Sequence, residues 1–362
     1  MRVLFCSDAM IVDGVTSFVF HLSTVLKEAG NDVAVIGRWA GKGFQSRLKD
    51  HGVGVIECIS PTVGNFWFDM KAAEFRPDVI VTDSRRSFPL AVRLKNITGA
   101  KVFTFFLDKL EKTDRKGRDV ASLIKYSDAW LSAEKPLLKD LESISTPFTK
   151  FHLQRPLKGL FNPTPIPPKD PFRILSFGRI SSFKSITSFW LLKNALHMKK
   201  RIPSLEMVFV GGGWRTLKYR MLAAKNNIST GSEFIKIVGT QIDPEPWIQR
   251  TNLVCAGSTS AIEATLANRP VVASTGYYLG LLTLDKLDKA FSSYFAERSG
   301  PLLKEDPDVL IEDIIRIYRE WDENKVTENT EAFRRGIEPF FERDTAAKSF
   351  QYIYERVFSE KI

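Results

Sequence analysis

The chain has 362 residues, of which 44% are hydrophobic and 26% charged, with a net charge of +10. That length exceeds one ordinary core and implies two domains, and the composition excludes a disordered or fibrous protein. No apolar run approaches the roughly 18–20 residues needed to span a bilayer, and Ser7-Asp8 interrupts the short apolar start Met1–Cys6, so a secretory leader is not expected and the protein is expected in the cytoplasm.

The excess of cations suits a phosphate-rich partner: nucleic acid, anionic lipid or a phosphorylated small molecule. Simple solubility explains it equally well, and composition does not separate the two. Cys6, Cys58 and Cys255 are far apart and each sits in an apolar run, which reads as buried thiols rather than a disulfide or zinc site. The four histidines show no metal-ligand spacing.

In chain order, the first half alternates strand and helix. Strands are expected at 2–7, 33–36, 53–58, 78–82, 102–107 and 128–132. A helix is expected over 15–29, where Phe18, Leu22, Val25, Leu26 and Ala29 share one face and Gly30 follows as a stop. Further helices are expected near 90–97 and 135–141. The segment 161–171 reads FNPTPIPPKDP, and its five prolines can continue neither element. The alternation then restarts: strands at 173–177, 205–210, 234–238, 253–256 and 271–274, and helices at 186–200, 214–226, 247–250 and 261–267. From residue 306 the tail is helical. Such alternation implies parallel sheets covered on both faces.

The expected organisation is therefore a Rossmann-like domain over 1–160, a Pro-rich linker over 161–172, a second Rossmann-like domain over 173–345, and a C-terminal helix over 346–362 that packs back on the first domain.

Ligands of open parallel sheets bind beyond the carboxyl ends of the strands, so the loops there carry the candidates. The first is the turn at Asp13-Gly14, opening the first helix; a simple turn is the competing reading. The second is Gly178-Arg179-Ile180-Ser181-Ser182-Phe183-Lys184-Ser185, where Gly permits close approach and two cations five apart can converge on one diphosphate. Two solvated surface charges are the plain alternative. The third is Gly211-Gly212-Gly213, which leaves room for a ligand or forms a loose turn. The fourth is Gly257-Ser258-Thr259-Ser260-Ala261-Ile262-Glu263, whose hydroxyls and N–H groups suit phosphate oxygens. Its Glu263 is placed in the first helical turn, either complementing the helix dipole or accepting from two ribose hydroxyls. In the first half, Asp83 and Arg85 end one strand and Asp108 follows another; strand-end acids also serve as helix caps.

The ordered set GRISSFKS, VFVGGG, VGT and STSAIEATLANRPVVAS resembles the retaining GT-B-fold glycosyltransferases of the group-one family, as do the opening strand with its Gly14 turn and the segment Tyr126–Trp130. The resemblance covers most of the chain and is firmest over 173–275. It implies an α/β fold of GT-B architecture, with two doubly wound Rossmann-like domains facing an interdomain cleft. It implies that Arg179 and Lys184 match the cations of the family's GRxxxxK motif and neutralise the donor diphosphate, and that Glu263 matches the second acid of E-x7-E and binds the donor ribose. Thr259 and Ser260 would face the phosphates, Gly239 and Thr240 the base, and Gly14, Gly178 and Gly212 would line the donor. The first acid of E-x7-E falls at Cys255, where no carboxylate stands; Tyr277–Thr283 is the candidate source of replacement contacts. Asp83, Arg85 and Asp108 are the acceptor-side candidates, with Asp108 also a catalytic one.

The expected activity is transfer of a sugar from a nucleotide-diphosphate donor to a hydroxyl of a glycan or lipid-linked acceptor, retaining and metal-independent, with no cofactor beyond the co-substrate and a role in polysaccharide or glycan biosynthesis. Peripheral contact with an anionic membrane at its inner face is suggested by the basic run Lys109–Arg118 and by Phe66-Trp67-Phe68, against a solvated loop and a buried helix start. A GT-B-like epimerase or phosphorylase and a non-catalytic partner of an active glycosyltransferase stay open. Nucleic acid is not an expected partner, since no recognised motif for it is present.

Overall fold

The computed structural model describes residues 1–9, 14–38, 42–58, 66–110 and 119–359. The chain divides into two compact units, Met1–Leu157 with Phe340–Ile362, and Lys158–Pro339.

The first unit runs β1 (Arg2–Ala9), α1 (Gly14–Glu28), β2 (Asp32–Arg38), α2 (Lys42–Asp50), β3 (Gly54–Glu57), α3 (Phe66–Glu74), β4 (Val79–Asp83), α4 (Phe88–Thr98), β5 (Lys101–Phe106), α5 (Val120–Tyr126), β6 (Ala129–Ser132), α6 (Lys135–Glu142) and β7 (Lys150–His152). Its seven strands form one sheet in the order β3-β2-β1-β4-β5-β6-β7, every pair parallel. Alternation along each strand feeds two cores. Val3, Phe5, Val79, Val81, Phe103 and Phe105 meet Phe18, Leu22 and Leu26 of α1 on one face. Leu4, Cys6, Ile80, Val102 and Trp130 meet Leu90 and Leu94 of α4 on the other. Both faces being covered is why these strands read as unbroken apolar runs.

The second unit runs β8 (Arg173–Phe177), α7 (Ile186–Lys193), α8 (Ala195–Arg201), β9 (Glu206–Val210), α9 (Thr216–Thr230), β10 (Ile235–Gly239), α10 (Glu245–Gln249), β11 (Leu253–Ala256), α11 (Ser258–Leu266), β12 (Val271–Ser274), β13 (Tyr278–Leu281), α12 (Leu287–Ser292), α13 (Asp308–Arg319) and α14 (Glu323–Ile337). The sheet order is β10-β9-β8-β11-β12-β13; five strands are parallel and β13 closes the edge antiparallel to β12. The single helix expected over 186–200 is two, because Asn194 turns the chain with φ −101° and its side-chain amide donates back to the Trp190 carbonyl at 3.1 Å.

The last helix, α15 (Arg343–Ser359), belongs to the first unit, where Phe350, Ile353 and Val357 join the α1 face of the core. It is tied by the Gln154 amide donating to the Glu342 carbonyl at 3.0 Å. The crossing points between units are thus 157/158 and 339/340 rather than the Pro-rich segment and residue 345.

The Pro-rich segment is folded into the second unit. Proline-rich chain lacks N–H donors, so what holds it are donors supplied by side chains to its carbonyls. Asn252 donates to the Pro167 and Pro168 carbonyls, both at 2.9 Å. Arg269, only 1% exposed, donates to the Thr164 carbonyl at 2.8 Å and the Thr164 hydroxyl at 2.5 Å. It also serves the carbonyls of Ile248 at 3.0 Å, Gln249 at 2.6 Å and Asn268 at 2.8 Å. Burial draws its pKa down to about 10. Arg269→Met is expected to leave these acceptors unmatched and to destabilise the second unit by about 3 kcal/mol or more, read as a lowered unfolding midpoint. Arg269→Lys should not rescue it, because one ammonium cannot span the same acceptors.

Among the described residues, no helix is long and apolar enough to cross a membrane.

Candidate functional site

The candidate site of the second unit lies at the carboxyl ends of β8, β9, β10 and β11, where the backbone is laced across strands. The Gly178 N–H donates to the Val210 carbonyl at 3.0 Å, Ile180 to Gly212 at 2.9 Å, and Gly211 to Gly239 at 2.8 Å. The loops after β8, β9 and β10 are therefore one construction. Gly211 has φ +144°, and a Cβ there would overlap the Gly178 carbonyl oxygen. A Cβ on Gly212 would overlap the Thr240 hydroxyl. The triplet is thus a fixed close approach between the β8 and β10 loops, not a loose turn. Gly178 faces the fourth loop, where the Ser260 hydroxyl stands 4.0 Å from the position a Cβ would take. The structure so brings together Gly178, Gly212, Gly239, Thr240 and Ser260.

On this platform Arg179 is exposed and has no ion-pair or hydrogen-bond partner among the described residues. Lys184 lies in the 3-10 turn Ser182–Ser185 that leads into α7, and its side chain falls outside what is described. Phe183, in the same turn, rests on the glycine face of Gly276 and meets the Tyr277 ring at 5.4 Å. This contact anchors the loop through a residue not singled out in the sequence.

Helix α11 starts earlier than expected, at Ser258, with Gly257 extended before it. Thr259 and Ser260 are accordingly in the first turn, half-buried, and Glu263 is in the second turn at 7% exposure. Ser258 takes φ +58° and donates its N–H to the Phe295 carbonyl at 3.0 Å. Tyr294, Phe295 and Ala296 are themselves left-handed, with φ of 47°, 52° and 64°. Each costs roughly 1–2 kcal/mol, so strain is held where the turn seats the start of α11. Nothing in the residue types Tyr, Phe and Ala announces such a turn.

Cys255 lies in the middle of the strand sequence Leu253–Ala256, paired with β8 and β12, and belongs to the unit's hydrophobic core. It is 1% exposed, and burial pushes its thiol pKa well up. Tyr277–Thr283 contributes β13 and its flanks; Tyr278 there donates its hydroxyl to Asp313.

In the first unit, Gly14 opens α1 with open space where a Cβ would stand, and its carbonyl accepts from Arg155 at 3.4 Å. Asp13 lies outside the described residues. At the carboxyl end of β4, Asp83 is 6% exposed and both its oxygens are engaged: one accepts from the Arg85 N–H at 2.6 Å, the other from the Ser87 hydroxyl at 2.7 Å. Burial raises its pKa and these hydrogen bonds oppose the rise. Asp83 thus shapes the loop through both its oxygens. What the loop presents is Arg85, in an ion pair with Asp108 from the end of β5. Two remote strand ends meet in that pair.

Residues 111–118 of the basic run, and the side chains of Phe66 and Phe68, lie outside the described residues; Trp67 between them is 80% exposed.

No protein-family profile and no curated protein sequence matches the chain. Solved structures do. A glycosyltransferase from Rickettsia africae is similar at a TM-score of 0.71 and 15% identity, over 99% of each chain. HepE from Anabaena, in complex with UDP and glucose, matches at 0.70 and 14% identity, over 99% of this chain and 100% of that one. Sucrose-phosphate synthase from Thermosynechococcus elongatus matches at 0.68 and 16% identity, over 100% of each. At these identities the likeness is one of fold: the chain has the GT-B architecture, two α/β Rossmann-like units with parallel sheets.

Proposed function

We propose that the protein is a glycosyltransferase that moves a sugar from a nucleotide-diphosphate donor to a hydroxyl of a glycan or lipid-linked acceptor, with retention of configuration and without a divalent metal. The observation that carries this reading is an Arg179 with no partner among the described residues, standing on the backbone loops of three strands, β8, β9 and β10, locked together by Gly211 and Gly212. Support comes also from neighbours of the same fold solved with such molecules, HepE with UDP-glucose and TarM of S. aureus with UDP.

In this reading Arg179 and Lys184 stabilise the negative charge that grows on the departing diphosphate, an electrostatic role that needs no metal. Backbone N–H groups at Thr259 and Ser260 hold the phosphate oxygens, and Gly178 leaves room for them. Gly239 and Thr240 border the base, and Glu263 accepts from the ribose hydroxyls. In the first unit, Gly14 leaves room for the donor, and Arg85 with Asp108 meets the acceptor. Cys255 takes no part, because its side chain is core. With no acid at that position, the contacts to the transferred sugar come from Tyr277–Thr283.

Incubation with a panel of nucleotide sugars and candidate acceptors tests the activity. Release of nucleoside diphosphate together with a glycosylated acceptor is expected. Epimerisation of the nucleotide sugar in the absence of acceptor would replace this reading with the isomerase one. For Glu263, the expected result is that Glu263→Gln weakens ribonucleoside diphosphate binding about tenfold, in line with a charged hydrogen bond. The same variant should bind ribo- and 2′-deoxyribonucleotides alike. Retained discrimination in the variant would remove Glu263 from the ribose.

A further inference from the structure

Helix α9 carries apolar residues on both its faces. Its inner face is settled: Tyr219, Ala223 and Asn226 are buried, with the Tyr219 hydroxyl donating to the Ser185 carbonyl at 2.8 Å and the Asn226 amide to the Leu192 carbonyl at 2.8 Å. On the outer face Leu217 is 70% exposed, Met221 67% and Ile228 81%, with exposed Ala224 between the last two. At about 100° per residue these four fall within an arc of roughly 60°. Trp214, 73% exposed, stands just ahead of the first turn.

The flanks of this stripe are cationic. Lys218 and Lys225 lie along one side and Arg220 along the other, all three exposed. The helix sequence TLKYRMLAAKNNIST contains no acid. An apolar ridge with cations on both flanks, and with the opposite face already packed, is the arrangement of a helix that lies in the interface of an anionic bilayer. Single exposed apolar residues are ordinary, but a continuous stripe is not.

We infer that the outer face of α9 docks the protein onto a membrane surface rich in anionic phospholipid, with Leu217, Met221 and Ile228 entering the acyl boundary and Lys218, Arg220 and Lys225 meeting headgroup phosphates. A second copy of this chain fits the face badly. A two-fold contact there would set cations against cations, with no acid on the helix to offset them. The surface differs from both segments that suggested membrane contact in the sequence, and it does not depend on the donor-site assignment.

Co-sedimentation of the full chain with vesicles tests it, using phosphatidylcholine alone and phosphatidylcholine mixed with phosphatidylglycerol. Binding to the mixed vesicles and little to the neutral ones is expected. Each of Lys218→Gln, Arg220→Gln and Lys225→Gln is expected to lower partitioning roughly fivefold. Leu217→Ser, Met221→Ser and Ile228→Ser together are expected to abolish it at an unchanged unfolding midpoint. Nucleoside diphosphate affinity should be the same in the Lys218, Lys225 and triple serine variants, so failure of the docking surface and failure of the donor site are read separately; Arg220, whose guanidinium lies 3.8 Å from the position of a Cβ on Gly239, is left out of that comparison. A parent that ignores anionic vesicles overturns the inference, as does a triple serine variant that binds them as well as the parent. So does a lipid-free dimer that the triple variant dissolves, which would assign the face to a second copy, or an acidic protein that binds it while vesicles do not.

Discussion

Replacing Arg179 with alanine is expected to lower kcat/KM for sugar transfer by roughly 10²–10³-fold, the scale at which a preorganised charge at a departing group acts. Combining it with Lys184→Ala should abolish transfer. The unfolding midpoint should hardly move, because Arg179 is exposed and makes no partner contact among the described residues. Exposed charges without partners contribute little to stability. Two properties usually opposed, a large kinetic loss and a negligible structural one, are thus expected in a single substitution. The kinetic pattern is also specific. A cation that acts on charge developing in the transition state lowers kcat, whereas one that binds donor and transition state alike raises KM. A loss in kcat is expected for Arg179. Near-normal turnover in a folded double variant would remove the diphosphate from this loop.

Cys255→Glu, which completes the E-x7-E pattern that the sequence resembles, is expected to damage the protein rather than improve it. Position 255 is 1% exposed within the apolar core that includes Ile174, Leu253 and Val272. A carboxyl placed there has its charged form disfavoured by desolvation, so its folded pKa lies above its unfolded value near 4.3. The sign follows directly: the variant's deficit from ionisation is absent below about pH 4.3 and grows by about 1.4 kcal/mol per pH unit until the folded pKa is reached. A shift of about three units gives roughly 4 kcal/mol at neutral pH. Denaturation of parent and variant across pH 4–8 measures it. A variant of unchanged stability with faster transfer would place this side chain against the sugar.

The contrast between these two residues shows what was legible in the sequence. Strands β8, β11 and β12 were readable to the residue, since sheets covered on both faces require continuous apolar runs such as Arg173–Phe177 and Leu253–Ala256. The short strand Lys150–His152 was not, because a half-buried edge leaves no apolar run. Helices α2 and α5 were likewise not read. In the site, the glycines of 211–213 were visible but ambiguous. What resolves them is the long-range approach of Gly178 and Thr240, which no local spacing encodes.

The three acidic and basic candidates of the first unit divide on similar lines. That Arg85 and Asp108 pair is a consequence of β4 and β5 being neighbours in the sheet, so strand ends 23 residues apart in sequence become adjacent. That Asp83 is spent on its own loop is a matter of two hydrogen bonds over the next four residues, the usual fate of a strand-end acid before a helix. The early start of α11 and the left-handed turn at Tyr294–Ala296 belong to neither kind of signal. They arise because the Phe295 carbonyl reaches the first N–H of the helix from 37 residues away.

Calorimetric titration with nucleoside diphosphates bears most directly on the central claim, that the carboxyl-end loops of the second unit hold a diphosphate through Arg179 and Lys184. The uridine, guanosine, adenosine and thymidine diphosphates are each titrated into the parent and into the Arg179→Ala/Lys184→Ala variant, with no metal added. Saturable binding of at least one of them by the parent is expected, lost by about a hundredfold or more in the variant, as befits two charge-assisted contacts at roughly 1.5–3 kcal/mol each. Absence of binding to all four, or equal affinity in parent and variant, would contradict it.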